Sequence, residues 1–373
     1  MQEIKKRRIV LASILKPAND PRMFEKIGQT LVRDYEVHII GYACPQATEP
    51  LQISFHSIGP FPRISWVRFF SPWVVMLKVL KLRPSLLIIC THELLFSALL
   101  LKTLIGCRVI YDVQENYALN IFHGNTFAPV LKTFLGSYVR LKEWLLSPLP
   151  DHYLLAEKSY AEEARFIGKD CTVLENKLKR FSEEGTVRLS AADGNIHLLF
   201  SGTLAESTGV FVAIDIASAL HQFDRRIRLR VCGYAAQPKI RERLRSVAAN
   251  KSFVKLQGID SLVPHHQIIR EIQSADFGVV SYPPNVSTRD ALPTKLFEYL
   301  GYKLPMLLTD HQPWVTYCQE YPAAVVFQAQ AFDPKAVLHQ MHQMQFFITT
   351  PDQVFWDDQE EKLRMAVRNV LSI

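Results

Sequence analysis

The chain has 373 residues, 48% hydrophobic and 21% charged, with a formal net charge of +7. That length is more than one ordinary core needs and suits two domains, and the composition excludes a disordered chain. Six scattered cysteines (Cys44, Cys90, Cys107, Cys171, Cys232, Cys318) form no CxxC pair, which speaks for buried thiols and against a disulfide frame or a zinc site. No apolar run reaches the roughly 18 residues of a membrane span, and Ile9–Leu15 after Lys5–Arg8 suits a first core strand better than a leader. A cytoplasmic protein, soluble or peripheral at the inner face of the membrane, is the expectation.

Ile9–Ile14 reads as the first strand, Met23–Val32 as a helix and Glu36–Gly41 as the next strand. The loop between strand and helix, Leu15–Arg22, lies where open α/β sheets place ligands. Ser71-Pro72 reads as a cap and first residue of a helix over Trp73–Leu82. Just before it Trp66, Phe69 and Phe70 interleave with Arg63 and Arg68. The Arg63–Lys81 stretch suits an anionic membrane surface, but a crossover helix covering a sheet explains most of the apolar residues of Trp73–Leu82 and is the favoured reading there, with Arg63–Phe70 left open. Residues 61–110 hold seven Lys and Arg against the single acid Glu93. No nucleic-acid reader motif accompanies them, so nucleic acid is not an expected partner.

Ser85–Cys90 is an apolar strand followed at once by Thr91-His92-Glu93. Arg108–Asp112 is another, followed by Val113, Gln114 and Glu115. Asp112 and Glu115, three apart with an amide between, suit hydrogen bonds to hydroxyls or weak base chemistry; two solvated loop acids would look the same. Phe127–Leu146 is a long helix, and Asp151–Ala156 and Val173–Asn176 are strands. Polar, aperiodic Lys179–Gly194 marks a linker, giving domains of 1–178 and 195–350 with a terminal helical segment, 351–373. Strands over His197–Ser201, Arg228–Cys232, Phe253–Gly258 and Phe277–Val280 alternate with helices over Val210–Leu220, Lys239–Ala249 and His265–Gln273. That alternation predicts a second parallel α/β sheet.

Ser281–Asp310 holds the clearest candidate site. Pro293 stands at a helix start, Thr294–Tyr302 is helical, and Met306–Thr309 is a buried strand. Asp290 and Glu298 bracket the helix start. A helix N-terminus seats phosphate, and a carboxylate one turn on accepts hydrogen bonds from sugar hydroxyls.

This stretch, with Pro293-Thr-Lys-Leu-Phe-Glu-Tyr299, resembles the acid-x7-acid region of retaining GT-B glycosyltransferases of the family-4 type. The resemblance extends over nearly the whole chain through Asp20-Pro-Arg22, His92-Glu93 and Asp112–Glu115. It implies an α/β fold of two Rossmann-like domains with parallel sheets facing across a cleft and a terminal helix crossing back to the first domain. It implies that Glu298 holds the ribose of a nucleotide-sugar and that His92 and Asp290 face the sugar. Gly202, Thr203, Thr208, Gly209, Arg289, Thr294 and Lys295 fall on the donor diphosphate side. Lys16, Asp20, Arg22, Asp112 and Glu115 fall on the acceptor side; a surface pair of Arg22 with Glu25 is the plain alternative. Gln114 stands where the family has His, and Thr203 and Thr208 stand where many members have an Arg and a Lys gripping the diphosphate. The reaction implied is retaining, metal-independent transfer of a hexosyl or N-acetylhexosaminyl group from a UDP- or GDP-sugar to a hydroxyl of a glycan or lipid-linked acceptor, in polysaccharide or glycoconjugate synthesis. No cofactor is expected beyond that co-substrate. The alternatives are a sugar-nucleotide epimerase on the same fold, or a catalytically inactive subunit that binds a partner or glycan.

Overall fold

The computed structural model describes residues 6–43, 52–59, 61, 65–124, 127–163, 167–168, 170–180, 193–284 and 289–372. Arg63, Cys44 and most of the expected linker lie outside them. The chain divides into two compact units, Met1–Lys179 with Trp356–Ile373, and Arg180–Phe355.

The first unit opens with β1 (Arg8–Pro17), a π-helical segment (Pro21–Gly28), α1 (Gln29–Leu31), β2 (Glu36–Tyr42), β3 (Ile53–Ser57) and α2 (Trp66–Leu82). There follow β4 (Leu86–Ile89), a 3-10 turn (His92–Leu94), α3 (Leu95–Ile105), β5 (Arg108–Val113), α4 (Tyr117–His123) and α5 (Pro129–Leu146). β6 (His152–Leu155), α6 (Tyr160–Glu163) and β7 (Cys171–Val173) complete the sheet, whose order is β3-β2-β1-β4-β5-β6-β7. Every pairing is parallel, and the central strands are apolar throughout because both faces are covered. Val75, Val79, Leu95 and Leu101 from α2 and α3 pack on one face. The π-helical segment packs on the other, with Trp356 and the C-terminal helix of the chain.

The second unit runs β8 (Ile196–Thr203), α7 (Val210–Phe223), β9 (Ile227–Tyr234), α8 (Pro238–Ala249), β10 (Val254–Gln257), α9 (His265–Gln273) and β11 (Phe277–Val280). It ends with α10 (Thr294–Gly301), β12 (Met306–Thr309), α11 (Gln312–Gln319), β13 (Ala324–Phe327) and α12 (Pro334–Gln343). Its sheet is again parallel, in the order β10-β9-β8-β11-β12-β13. α13 (Asp357–Ser372) returns to the first unit, where Leu363 and Val367 enter its core and Trp356 Nε1 donates to Thr30 Oγ1 at 3.2 Å. In each sheet the strand order reverses beside the first strand, between β1 and β4 and between β8 and β11. Such switch points leave a crevice at the carboxyl ends of the strands, the general ligand position of this architecture.

Three elements differ from what the sequence suggests. The helix expected from Trp73 begins at Trp66, capped by Ser65, whose side chain accepts from Arg68 N. Pro72 lies inside it because the carbonyl it cannot serve, Arg68 O, accepts from Ser71 Oγ at 2.7 Å. The helix expected over Met23–Val32 begins earlier and is π-wound, with Asp20 accepting from Arg22 N and Met23 N. Pro293 is the cap of α10 and not its first residue. Ser71→Ala should cost about 1 kcal/mol in urea unfolding by orphaning Arg68 O. Adding Pro72→Ala should restore most of that, since an amide N–H then reaches the carbonyl.

Candidate functional site

At the second unit's switch point, backbone meets backbone. Gly209 caps α7 at φ +79°, and a Cβ there would lie 1.7 Å from Ser281 O. Gly202, at φ +97°, presses on Gly233, where a Cβ would lie 1.8 Å from Gly202 O. Glycine is therefore required at 209 and 233 by space, and the close approach leaves the α7 N-terminus uncovered by any capping side chain. Thr208 does not replace the cation the sequence lacks. Its hydroxyl serves Thr203 O and Ala205 O at 2.8 and 2.9 Å and accepts from Ala205 N, closing its own turn. The Thr203 side chain is exposed.

Lys295 and Glu298 enter this crevice from α10, both buried. Lys295 Nζ lies 4.0 Å from the Phe200 ring centroid and 5.0 Å from that of Tyr282. It has no hydrogen-bond partner among the described residues. Burial pushes its pKa down to about 7, against the pull of Glu298. Glu298 Oε1 meets His265 Nε2 at 3.0 Å, at the start of α9. Tyr299 OH and Ser201 Oγ, 2.9 Å apart, tie the same helix to the end of β8. Arg289 and Asp290 stand outside this group: both are exposed and they pair with each other at 3.2 Å. Thr294 opens the helix, its side chain exposed.

The first unit's switch point gathers Lys16, Asp20, His92, Glu93, Asp112, Gln114 and Glu115. Arg22 and Asp112 neutralise each other in the interior: Nε lies 3.1 and 3.0 Å from the two carboxylate oxygens and Nη2 lies 2.6 Å from Oδ1. Arg22 Nη1 also donates to Leu174 O and Asn176 Oδ1, and Gln114 Nε2 donates to Asp112 Oδ2. The pair joins β1's outgoing loop to β5 and the end of β7, where the sequence suggested acceptor contacts or an Arg22–Glu25 surface pair. Asp20 caps the π-helical segment and lies 3.8 Å from Lys16. Burial works against the charge of Lys16, but Asp20 and Glu115 outweigh it and hold its pKa above the ordinary value. Glu115 accepts from Asn120 Nδ2 at 3.1 Å.

His92 is buried, and its Nδ1 lies 2.6 Å from Lys142 Nζ. Burial, against Glu93 and with Lys142 and Arg68 adding to it, takes its pKa down to about 4. The ring is neutral at neutral pH. An ammonium only donates, so Nδ1 accepts and the ring proton sits on Nε2. That N–H is 3.5 Å from Glu93 Oε2, which has no hydrogen bond; Thr91 Oγ1 and Gln114 Oε1 are likewise buried and unpartnered among the described residues. Three oxygens without donors at one strand-end cluster suit a ligand rich in hydroxyls. Nothing in the sequence marks His265, Phe200 and Tyr282 as site residues. No spacing rule links them to Glu298 or Lys295, since only the folded sheet brings their strands and helices together.

Two measurements test these placements. Asp112→Ala leaves Arg22 buried and unpaired and should cost about 3–5 kcal/mol in urea unfolding. Lys295→Met should melt higher than wild type without ligand. The gap should narrow from about pH 6 to about pH 9, because above the folded pKa the unfolded chain holds a proton that folded Lys295 has lost, so wild-type stability rises with pH.

No family model matches the chain, and neither does any curated protein. Solved structures do. Sucrose-phosphate synthase from Thermosynechococcus elongatus aligns with TM-score 0.72 and 11% identity over 98% of this chain and 100% of that one. HepE from Anabaena, in complex with UDP-glucose, aligns with TM-score 0.69 and 11% identity over 97% and 100%. A UDP-forming α,α-trehalose-phosphate synthase from Burkholderia xenovorans aligns with TM-score 0.62 and 12% identity over 98% and 99%. With two parallel α/β sheets and a match along the whole chain, the protein has the GT-B fold that these enzymes share.

Proposed function

We propose that the protein is a glycosyltransferase that takes a sugar from a nucleoside diphosphate and passes it, with retention at the anomeric carbon, to a hydroxyl of a glycan or lipid-linked acceptor. The observation that carries this reading is Lys295: a buried cation with no hydrogen-bond partner, at the second unit's switch point beside the uncapped N-terminus of α7. A diphosphate supplies what that cation and those N–H groups lack. The UDP and UDP-glucose held by the HepE structures favour a UDP-linked donor.

In this reading the diphosphate is held by Lys295 and the backbone of Gly202–Gly209, with Thr203, Thr294 and Arg289 at its margin. Glu298, oriented by His265, accepts from the ribose hydroxyls. As the glycosidic bond breaks, charge builds on the leaving diphosphate, and the fixed cation and helix N–H groups stabilise it without reorganising. Asp290 lies toward the transferred sugar. His92 offers its Nε2–H to a sugar hydroxyl as a neutral donor. Lys16, Glu115, Thr91, Glu93 and Gln114 line the acceptor side, and the Arg22–Asp112 pair with the Asp20 cap fixes the loops that carry them. The chemistry assigned to these residues requires no metal. The setting is the cytoplasmic synthesis of polysaccharide or glycoconjugate.

A panel of UDP- and GDP-sugars screened for thermal stabilisation tests the reading, because a ligand of the native state raises the melting temperature by mass action. At least one should stabilise wild type. Lys295→Met should weaken it about tenfold or more, the size of a lost charge-assisted bond, and Glu298→Ala should weaken nucleosides as well as nucleotides. Stabilisation untouched by Lys295→Met would overturn the assignment. Binding without transfer to any hydroxyl would favour the inactive-subunit reading, which the self-satisfied Thr208 turn also suits. Anomeric inversion in the product would remove the retaining mechanism.

A further inference from the structure

Three helices, α2, α3 and α5, cover one face of the first unit's sheet, with α3 next to both of the others. Two of them are apolar on the wrong side. α2 turns Ser71, Val75 and Val79 inward and leaves Trp66, Phe69, Phe70 and Trp73 in water. α5 turns Gly136, Val139 and Glu143 inward, while Val130, Phe134, Tyr138, Leu141 and Leu145 recur at three- and four-residue spacing along its exposed side. Phe96 of α3 makes an edge contact with Trp73, so the surfaces of α2 and α3 are continuous. Among the described residues, 16 of the 22 exposed large hydrophobic side chains lie on these three helices. Monomeric proteins scatter such side chains, and concentration on one face marks an interaction surface.

The charges choose the partner. Of the seven cations on the three helices, Arg68 pairs with Glu93, Lys102 with Asp151, Arg140 reaches Asn116 and Glu143, and Lys142 meets His92, while Lys78, Lys81 and Lys132 have no acidic partner among the described residues. Their one carboxylate, Glu143, is buried against Tyr111 OH. A second copy of the chain would set like charges against each other, whereas an anionic bilayer complements both the cations and the apolar side chains. We infer that the α2–α3–α5 layer is a docking face for an anionic membrane surface, with Trp66, Phe69, Phe134 and Trp144 entering the headgroup region. Arg63–Lys81, the segment suggestive in sequence, is one side of it. The inference rests on the sugar-transfer reading only for the sense of a lipid-linked acceptor; the surface itself owes nothing to Lys295 or His92.

Tryptophan fluorescence tests it without turnover. Of five tryptophans, Trp66, Trp73 and Trp144 are exposed on this face, and Trp314 and Trp356 are fully buried elsewhere. Phosphatidylglycerol-rich vesicles should blue-shift the emission of the full chain and sediment with it, and brominated acyl chains should quench it. Pure phosphatidylcholine vesicles should do much less. Phe134→Ser with Leu141→Ser on α5 should weaken vesicle binding about tenfold or more, the loss expected when apolar side chains no longer leave water. Trp66→Ser with Phe69→Ser on α2 should do the same, both with unchanged far-UV circular dichroism. Binding unaffected by the α5 pair would overturn the three-helix face. So would absence of binding to the anionic vesicles, or a stable dimer in solution that the α5 pair dissociates. Nucleotide stabilisation intact in both pairs separates failure here from failure of the donor-site reading.

Discussion

Lys295 sits in the second unit with two aromatic rings below its charge and nothing to donate to. A lone ammonium in that position costs free energy in the empty protein, and burial shows the cost by drawing its pKa to about 7. The surrounding structure enforces it. Phe200 lies on an apolar parallel strand, Tyr282 follows β11, and α10 is locked to β8 through Ser201 and Tyr299. Gly209 and Gly233 let three strand ends approach so closely that backbone, not side chain, forms the floor of the crevice. An anion of fixed shape would complete what the fold leaves open.

The first unit treats its charges in the opposite way. Arg22 and Asp112 are satisfied inside the protein, Asp20 is used as a cap, and burial keeps His92 neutral while Lys142 on Nδ1 leaves its proton on Nε2. What remains unsatisfied there are oxygens of Thr91, Glu93 and Gln114. One unit therefore lacks a partner for a cation and the other lacks donors for acceptors. A phosphate-bearing molecule suits the first need and a hydroxyl-bearing one the second, which is the pairing a sugar-transfer enzyme requires.

Much of the architecture was legible because parallel strands buried on both faces are short apolar runs, and helices between them have apolar stripes. Phe277–Val280 and Met306–Thr309 come out with the bounds their composition suggests. What escaped depended on side-chain rotamers or on partners distant in sequence. Pro72 looks like a helix start because the local turn of the Ser71 hydroxyl back to Arg68 O is a matter of rotamer, not of pattern. β3, half exposed at a sheet edge, lacks the apolar run that marks its neighbours. Arg22 and Asp112 are 90 positions apart, and a charged pair that buries itself looks in sequence like two surface residues. α5 looks in sequence like an ordinary long helix because an apolar stripe does not say whether it faces core or solvent. Of the candidate residues, Lys295 and Glu298 come together in one crevice with Gly202 and Gly209. Arg289 and Asp290 stay at its exposed edge, bound to each other.

The account turns on a nucleoside diphosphate giving Lys295 its missing partner, and calorimetry of UDP binding at about pH 8 in buffers of different ionisation enthalpy reads that directly. At this pH the terminal phosphate, whose second pKa is near 6, is already ionised. An empty-site Lys295 near pKa 7 is mostly neutral there and should take up a proton as the diphosphate arrives. The account predicts net proton uptake by wild type that disappears in Lys295→Met. Binding with no proton uptake, or with uptake unchanged in Lys295→Met, would contradict it.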